Sequence, residues 1–405
     1  MTLLRTRLSI MMFLQYAIWG AWCVVGYAFF KQIGFSDTQS SWLFSALWLA
    51  CIVAPFIGGQ IADRYFPTQY FLAFAHLVGG VFLLLMGKER NFAPMMTYMA
   101  IYCVLYAPTL ALTNSICFQN LKDVSRDFGR IRVWGTLGWI AVGWLLTLWR
   151  RNVATEVVGD LFYLAGACSI LLGLFCFLLP HTPPKKEAEN PFAFLEALSL
   201  LKDKNFAIFL GIAFIVTTEL QFYYLPTSVF LENIGVAKEN VPSVMTVAQI
   251  AEIITMALLL PFFLKKVGLR WTLALGVIAW PLRYLVFAMQ HPVGLVIASL
   301  AFHGIGYTFF FVASQIYVDN VASSTSRASA QSLLTLVTLG VGNYLGTMFY
   351  MVIKNYFTTT GPDGTEITSW TPLFLVPCAL TALCAFAFLV FFKPPESQLV
   401  EKSEG

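Results

Sequence analysis

A carboxylate and an amide, one helical turn apart, stand alone in a long apolar run. Glu252 is the only charged residue between Val241 and Leu264, in VPSVMTVAQIAEIITMALLLPFFL, and Gln249 precedes it by three positions. That spacing puts both side chains on one helix face. Together they can take a bidentate hydrogen-bonding partner, such as a diol or the edge of a base. A charge at bilayer depth costs several kcal/mol by most estimates, so an intramembrane carboxylate is a functional candidate by default. Glu252 is therefore expected to load and release a proton, with an ion-paired structural glutamate as the bland alternative.

Three further stretches carry polar groups among apolar neighbours. In FGRIRVWGTLGWI, Arg132, Thr136 and Trp139 fall at i, i+4 and i+7 and share a face, with Gly135 and Gly138 allowing another helix to approach. A cation, a hydroxyl and an aromatic on one face suit a polar, ring-shaped solute. TTELQFYYLPTSVF holds Glu219, Gln221, Tyr223 and Tyr224, and Pro226 is positioned to break the helix. Gln221 and Tyr224 share a face; Glu219 points elsewhere and is a candidate partner for Arg283 of AWPLRYLVF, which also suits snorkelling or pairing with Glu252 and is read as structural. Tyr223 suits an interfacial belt as well as a polar site. FHGIGYTFFFVASQ places His303 and Tyr307 at i, i+4, with Thr308 adjacent. His303 suits either proton movement or helix packing, and His76 is read as structural.

These residues need a membrane to make sense. Of the 405 residues 58% are hydrophobic and 11% charged, against about 25% charged in soluble domains, and the mean hydropathy is +0.73. Twelve continuously apolar segments are expected, from residues 8–31 to 370–393, each long enough for a spanning helix of roughly 20 residues. They do not alternate, which excludes a β-barrel. Arg132 lies on the fifth (131–149), Glu219 to Tyr224 on the seventh (205–232), Glu252 on the eighth (241–264), Arg283 on the ninth (269–289) and His303 to Thr308 on the tenth (293–318). With the N-terminus inside, sixteen Lys and Arg fall in inner loops and seven in outer ones, so both termini are expected to be cytoplasmic. MTLLRTRLSI leads directly into the first helix with no cleavage-site pattern.

The longest hydrophilic stretch, from Pro180 to Phe206, divides the chain. The expected organisation is a six-helix bundle over 1–180, a cytoplasmic linker over 181–204, a second bundle over 205–393 and a tail over 394–405. Residues 191–201 suit a short amphipathic surface helix. Eight cysteines sit in apolar runs without metal-ligand spacing and are read as packing residues. No nucleophile–base pattern points to an enzyme, no cofactor is implied, and a net charge of +4 spread over loops gives nucleic-acid binding no support.

A six-plus-six layout resembles the major facilitator superfamily. Gly59-Gln60-Ile61-Ala62-Asp63-Arg64 resembles its loop signature, and Lys265 to Arg270 looks like a degraded second copy. Closer still, FLQYAIWGAW (Phe13–Trp22), YAPTLALTN (Tyr106–Asn114), RIRVWGTLGW (Arg130–Trp139), ELQ (Glu219–Gln221), AQIAE (Ala248–Glu252) and AWPLRY (Ala279–Tyr284) resemble, in order, segments of the bacterial nucleoside:proton symporters. RIRVWGTLGW also resembles the lactose-type sugar permeases. The resemblance implies substrate contacts at Arg132, Thr136 and Trp139, at Gln221 and Tyr224, at Gln249 and Glu252, and at Tyr307 and Thr308. Trp139 would stack on the nucleobase. Two positions depart from the family pattern: Tyr224 replaces a usual asparagine, and Thr308 a usual aspartate, which leaves Glu252 as the main candidate for proton coupling.

The expected protein is an all-α, twelve-helix transporter of the bacterial inner membrane, monomeric, importing nucleosides with protons by alternating access as two bundles rock around a midplane site. A sugar:proton symporter of the lactose-permease type and a non-transporting receptor on the same fold are the alternatives.

Overall fold

In a lipid core every backbone N–H and C=O must be paired within the chain, so apolar segments of this length become helices. The computed structural model bears this out. It describes residues 3–57, 65–153, 159–184, 192–323, 326–362, 366–395 and 399. The expected loop signature at 59–64 lies outside them, as do 185–191 of the linker and most of the tail.

The first helices are α1 (Leu3–Cys23), α2 (Gly26–Gln32), α3 (Asp37–Ile57), α4 (Thr68–Lys88), α5 (Phe92–Asn120), α6 (Val124–Asn152) and α7 (Asp160–Phe175). Within the expected linker lies α8 (Ala193–Ala197), and then come α9 (Lys204–Glu219), α10 (Gln221–Tyr224), α11 (Thr227–Asn233), α12 (Val241–Met245), α13 (Val247–Ile254), α14 (Leu260–Lys266), α15 (Gly268–Met289), α16 (Val293–Ser299), α17 (Ala301–Gly306), α18 (Ala313–Val321), α19 (Arg327–Thr335), α20 (Asn343–Tyr356) and α21 (Trp370–Phe391). Eleven stretches among the described residues are long and apolar enough to cross a bilayer. Helix α3, 21 residues long, occupies the place of the remaining expected crossing.

The chain divides into two compact units, Met1–Pro191 with Leu225–Thr246, and Phe192–Tyr224 with Val247–Gly405. In the first, α6 is fixed along its length. Asp127, near its start, pairs with Arg5. Near its end Arg150 donates to both carboxylate oxygens of Asp160, at 2.7 and 2.9 Å, while Thr147 accepts from the Ser243 amide at 3.0 Å. Gly159, which opens α7, has φ +78 and would place a Cβ 2.2 Å from the Gly87 carbonyl oxygen. Only glycine satisfies both the left-handed backbone and that approach.

The second unit buries Phe209, Trp280, Phe310, Tyr317 and Phe388 in one core. Asp203 caps α9, accepting from the amides of Asn205 and Phe206 at 2.7 and 3.0 Å. The helix over 205–232 is broken at Leu225–Pro226, as the position of Pro226 led us to expect, because proline supplies no amide hydrogen; a further break follows Glu219. The amphipathic stretch after the linker is α8 followed by a 3-10 turn, Leu198–Lys202. One element was not expected: strands β1 (Thr358–Thr360) and β2 (Glu366–Thr368) form an antiparallel hairpin. Lys354 holds it, donating to the hydroxyls of Thr358 and Thr368 at 2.9 and 2.7 Å.

Candidate functional site

In the first unit the glycines of α6 set the geometry. A Cβ at Gly138 would sit 2.1 Å from the Phe13 carbonyl oxygen, so the α6 backbone rests directly on α1. This contact brings the Arg132 guanidinium 3.9 Å from the centre of the Tyr16 ring. Trp139, one face further along, lies against Gly20 and meets Trp19 edge-to-face at 5.6 Å. Arg132, Thr136 and Trp139 are all half-buried on that face. Trp19 is the hub of a larger aromatic group, 6.1 Å from Trp48, 6.4 Å from Tyr106 and 6.5 Å from Tyr16. The buried indole nitrogen of Trp48 finds no partner among the described residues, and Trp19 lies beside the Cys23 thiol. Tyr16, Trp19 and Trp48 were not singled out from the sequence, although Tyr16 and Trp19 are spaced i, i+3 like a polar-aromatic stripe. The group offers flat apolar faces with hydrogen-bonding edges beside one cation, which suits a planar heterocycle.

In the second unit α13 carries Gln249 and Glu252. A Cβ at Gly304 would lie 2.3 Å from the Glu252 amide nitrogen and 2.6 Å from the Ala248 carbonyl oxygen, so α13 and α17 touch backbone to backbone. The Thr308 hydroxyl comes within 3.5 Å of the Glu252 carbonyl oxygen, the outer limit of a hydrogen bond. Gln249 is buried, and its side-chain oxygen accepts no hydrogen bond among the described residues. Each helix here ends in a π-helical stretch, Thr255–Leu259 after α13 and Tyr307–Val312 after α17. Such stretches are rare and concentrate at functional sites.

The other expected residues are placed differently. Gln221 is fully buried; its amide nitrogen donates to Asn343 Oδ1 at 2.7 Å and its oxygen accepts from Thr347 at 3.3 Å. Both ends of that amide are therefore engaged by α20, whose residues the sequence did not single out. Tyr224 is half-buried, its hydroxyl 3.4 Å from His303 Nε2. Tyr307 stacks on the same imidazole at 6.1 Å. Tyr223 is not at an interface: it is buried and stacked on His303 at 4.4 Å. The helix break at Glu219 turns it inward. Arg283 is likewise buried and within electrostatic reach of Glu219.

The profile of the nucleoside H+ symporters matches residues 1–397. This chain belongs to the nucleoside:proton symporter family. As such a symporter it is a proton-coupled nucleoside importer and not an enzyme. YegT of Escherichia coli (strain K12) is 34% identical over 97% of this chain and 95% of its own length. The nucleoside permease NupG of the same strain is 28% identical over 96% of each chain. The crystal structure of nucleoside transporter NupG superposes with a TM-score of 0.84, covering 98% of this symporter and 100% of that chain. A D-xylose-proton symporter at 13% identity and TM-score 0.72 shares the fold alone, which is that of the major facilitator superfamily.

Proposed function

We propose that this symporter contacts its nucleoside through two sets of residues, one in each unit. In the first, Trp139 stacks on the base, and Arg132 and Thr136 hydrogen-bond its polar groups. In the second, Gln249 and Glu252 take a base edge or the ribose diol, with Tyr224, Tyr307 and Thr308 lining the approach. Gln221 reaches substrate only by releasing Asn343 or Thr347. Glu252 loads a proton before substrate and releases it with substrate. The observation that carries this reading is the buried Gln249 oxygen, unpaired among the described residues one turn from a half-buried carboxylate. A buried acceptor left unsatisfied costs about 1–3 kcal/mol, a deficit that a donor on the nucleoside removes.

The protein resides in the inner membrane of a bacterium as a monomer, with both termini in the cytoplasm. The lysine and arginine asymmetry and the bacterial relatives support this. The test is uptake of adenosine, uridine and xanthosine into proteoliposomes carrying wild type or Q249A. Weakened affinity for every nucleoside in Q249A, with maximal rate retained, supports the site. Unchanged affinity for all three would sink it.

A further inference from the structure

The unit that holds the Gln249–Glu252 pair also holds a second charged cluster that the proposed site does not use. Glu219 on α9 is fully buried, and the hydroxyl beside its carboxylate, that of Tyr284, donates to the Glu219 backbone carbonyl oxygen at 2.8 Å. Arg283 on α15 is fully buried as well, beside the Tyr284 hydroxyl. One of its terminal nitrogens donates to His303 Nδ1 at 3.0 Å. Aromatic faces surround the guanidinium: Tyr284 at 4.4 Å, Tyr223 at 4.5 Å, Trp280 at 4.9 Å and Phe287 at 5.9 Å.

These contacts fix the protonation pattern. A guanidinium only donates, so His303 Nδ1 accepts and its proton sits on Nε2, facing the Tyr224 hydroxyl. His303 is neutral in this arrangement and is not the proton carrier. Arg283 keeps its charge and is compensated by aromatic faces. A carboxylate in the same dry core, whose neighbouring Tyr284 hydroxyl is committed to a backbone carbonyl, is far costlier ionised than neutral. The titratable groups around Glu219 are Arg283, Tyr223 and Tyr284, His303, and Cys378 and Cys384 of α21. The α20 side chains that meet α10 here, Asn343 and Thr347, do not titrate and are engaged with Gln221.

We propose that Glu219 is a second proton-carrying carboxylate of this symporter, and that Arg283 in its aromatic box is the counter-charge its proton releases and recaptures. With Glu219 protonated, Arg283 lies in the box and holds His303 against Tyr224. When Glu219 gives up its proton toward the cytoplasm, the carboxylate draws Arg283 off His303, and the hydrogen bond to Tyr224 loses its anchor. The proton comes from the outer aqueous phase and leaves to the inner one. Tyr224 is the link to substrate.

The inference rests on proton-coupled nucleoside transport and not on the role given to Glu252. The test compares wild type, E219Q and E252Q in proteoliposomes, by exchange of labelled against unlabelled nucleoside and by uptake driven by a pH gradient. A gradient of one pH unit supports about tenfold accumulation per coupled proton. E219Q is expected to exchange at a rate near wild type, with a pH profile flattened relative to wild type, and to lose gradient-driven accumulation. Full accumulation in E219Q with an unchanged pH profile would overturn the proposal. Failure of wild type itself to accumulate nucleoside would instead overturn the reading beneath it. Should E219Q not fold, infrared spectroscopy of E252Q decides. A protonated-carboxyl band at neutral pH that moves in E219D,E252Q supports the switch, and absence of any such band refutes it.

Discussion

Gly304→Ala perturbs the contact on which the polar pair depends. A Cβ there would lie 2.3 Å from the Glu252 nitrogen and 2.6 Å from both the Ala248 oxygen and the Ala251 carbonyl carbon. All three are backbone atoms, so no side chain can swing aside. Carbon-centred contacts are comfortable at about 3.5–4.0 Å, so α13 and α17 must part by more than ~1 Å. Overpacking of this kind costs about 1–3 kcal/mol. The displacement also carries Gln249 and Glu252 away from Thr308, and an error of about 1 Å in such a constellation can cost ~100-fold in rate. The assay is initial-rate nucleoside uptake alongside thermal unfolding in detergent, with Gly211→Ala as control. Nothing lies within 4 Å of a Cβ at Gly211, and alanine in a helix interior is favoured over glycine by about 0.5–1 kcal/mol. Gly304→Ala should lower both melting temperature and transport while Gly211→Ala lowers neither. Wild-type transport by Gly304→Ala would refute the backbone contact as the element that positions the pair.

Two other outcomes follow from the first unit. Trp139→Ala should raise the Michaelis constant for nucleosides at least fivefold, because base–aromatic stacking is worth about 1–3 kcal/mol, and Trp139→Phe should restore most of it; concentration-dependent uptake measures both. Asp160→Ala leaves Arg150 buried without its bidentate partner, so the variant should unfold more readily by about 3 kcal/mol, read as a lower melting temperature, with Arg150→Met,Asp160→Leu recovering much of the loss.

The crossings were legible because a bilayer imposes one length and one composition on every segment. The Arg132–Thr136–Trp139 face and the Gln249–Glu252 pair were legible because each lies within two turns of one helix. What remained hidden sits between helices far apart in sequence. Gln221 and Asn343 meet across 122 positions, and no local pattern foretells that this amide is already occupied. The expected neighbourhood of Arg283 and Glu219 holds, but the rings of Tyr223, Trp280 and Tyr284 around the guanidinium could not be read from sequence, because they converge from two helices. The π-helical stretches leave no mark in apolar sequence. The hairpin did leave one, a threonine run followed by Gly361-Pro362-Asp363-Gly364, which is a turn signal between β-formers.

The central proposal is that the Glu252 carboxylate couples proton movement to nucleoside import. Uptake of uridine and adenosine into proteoliposomes under an imposed inward proton gradient, for wild type and Glu252→Gln, tests it most directly. Accumulation in wild type that collapses with a protonophore, and its loss in Glu252→Gln, is the expected result. Gradient-independent uptake by wild type, or undiminished accumulation by Glu252→Gln, would contradict it.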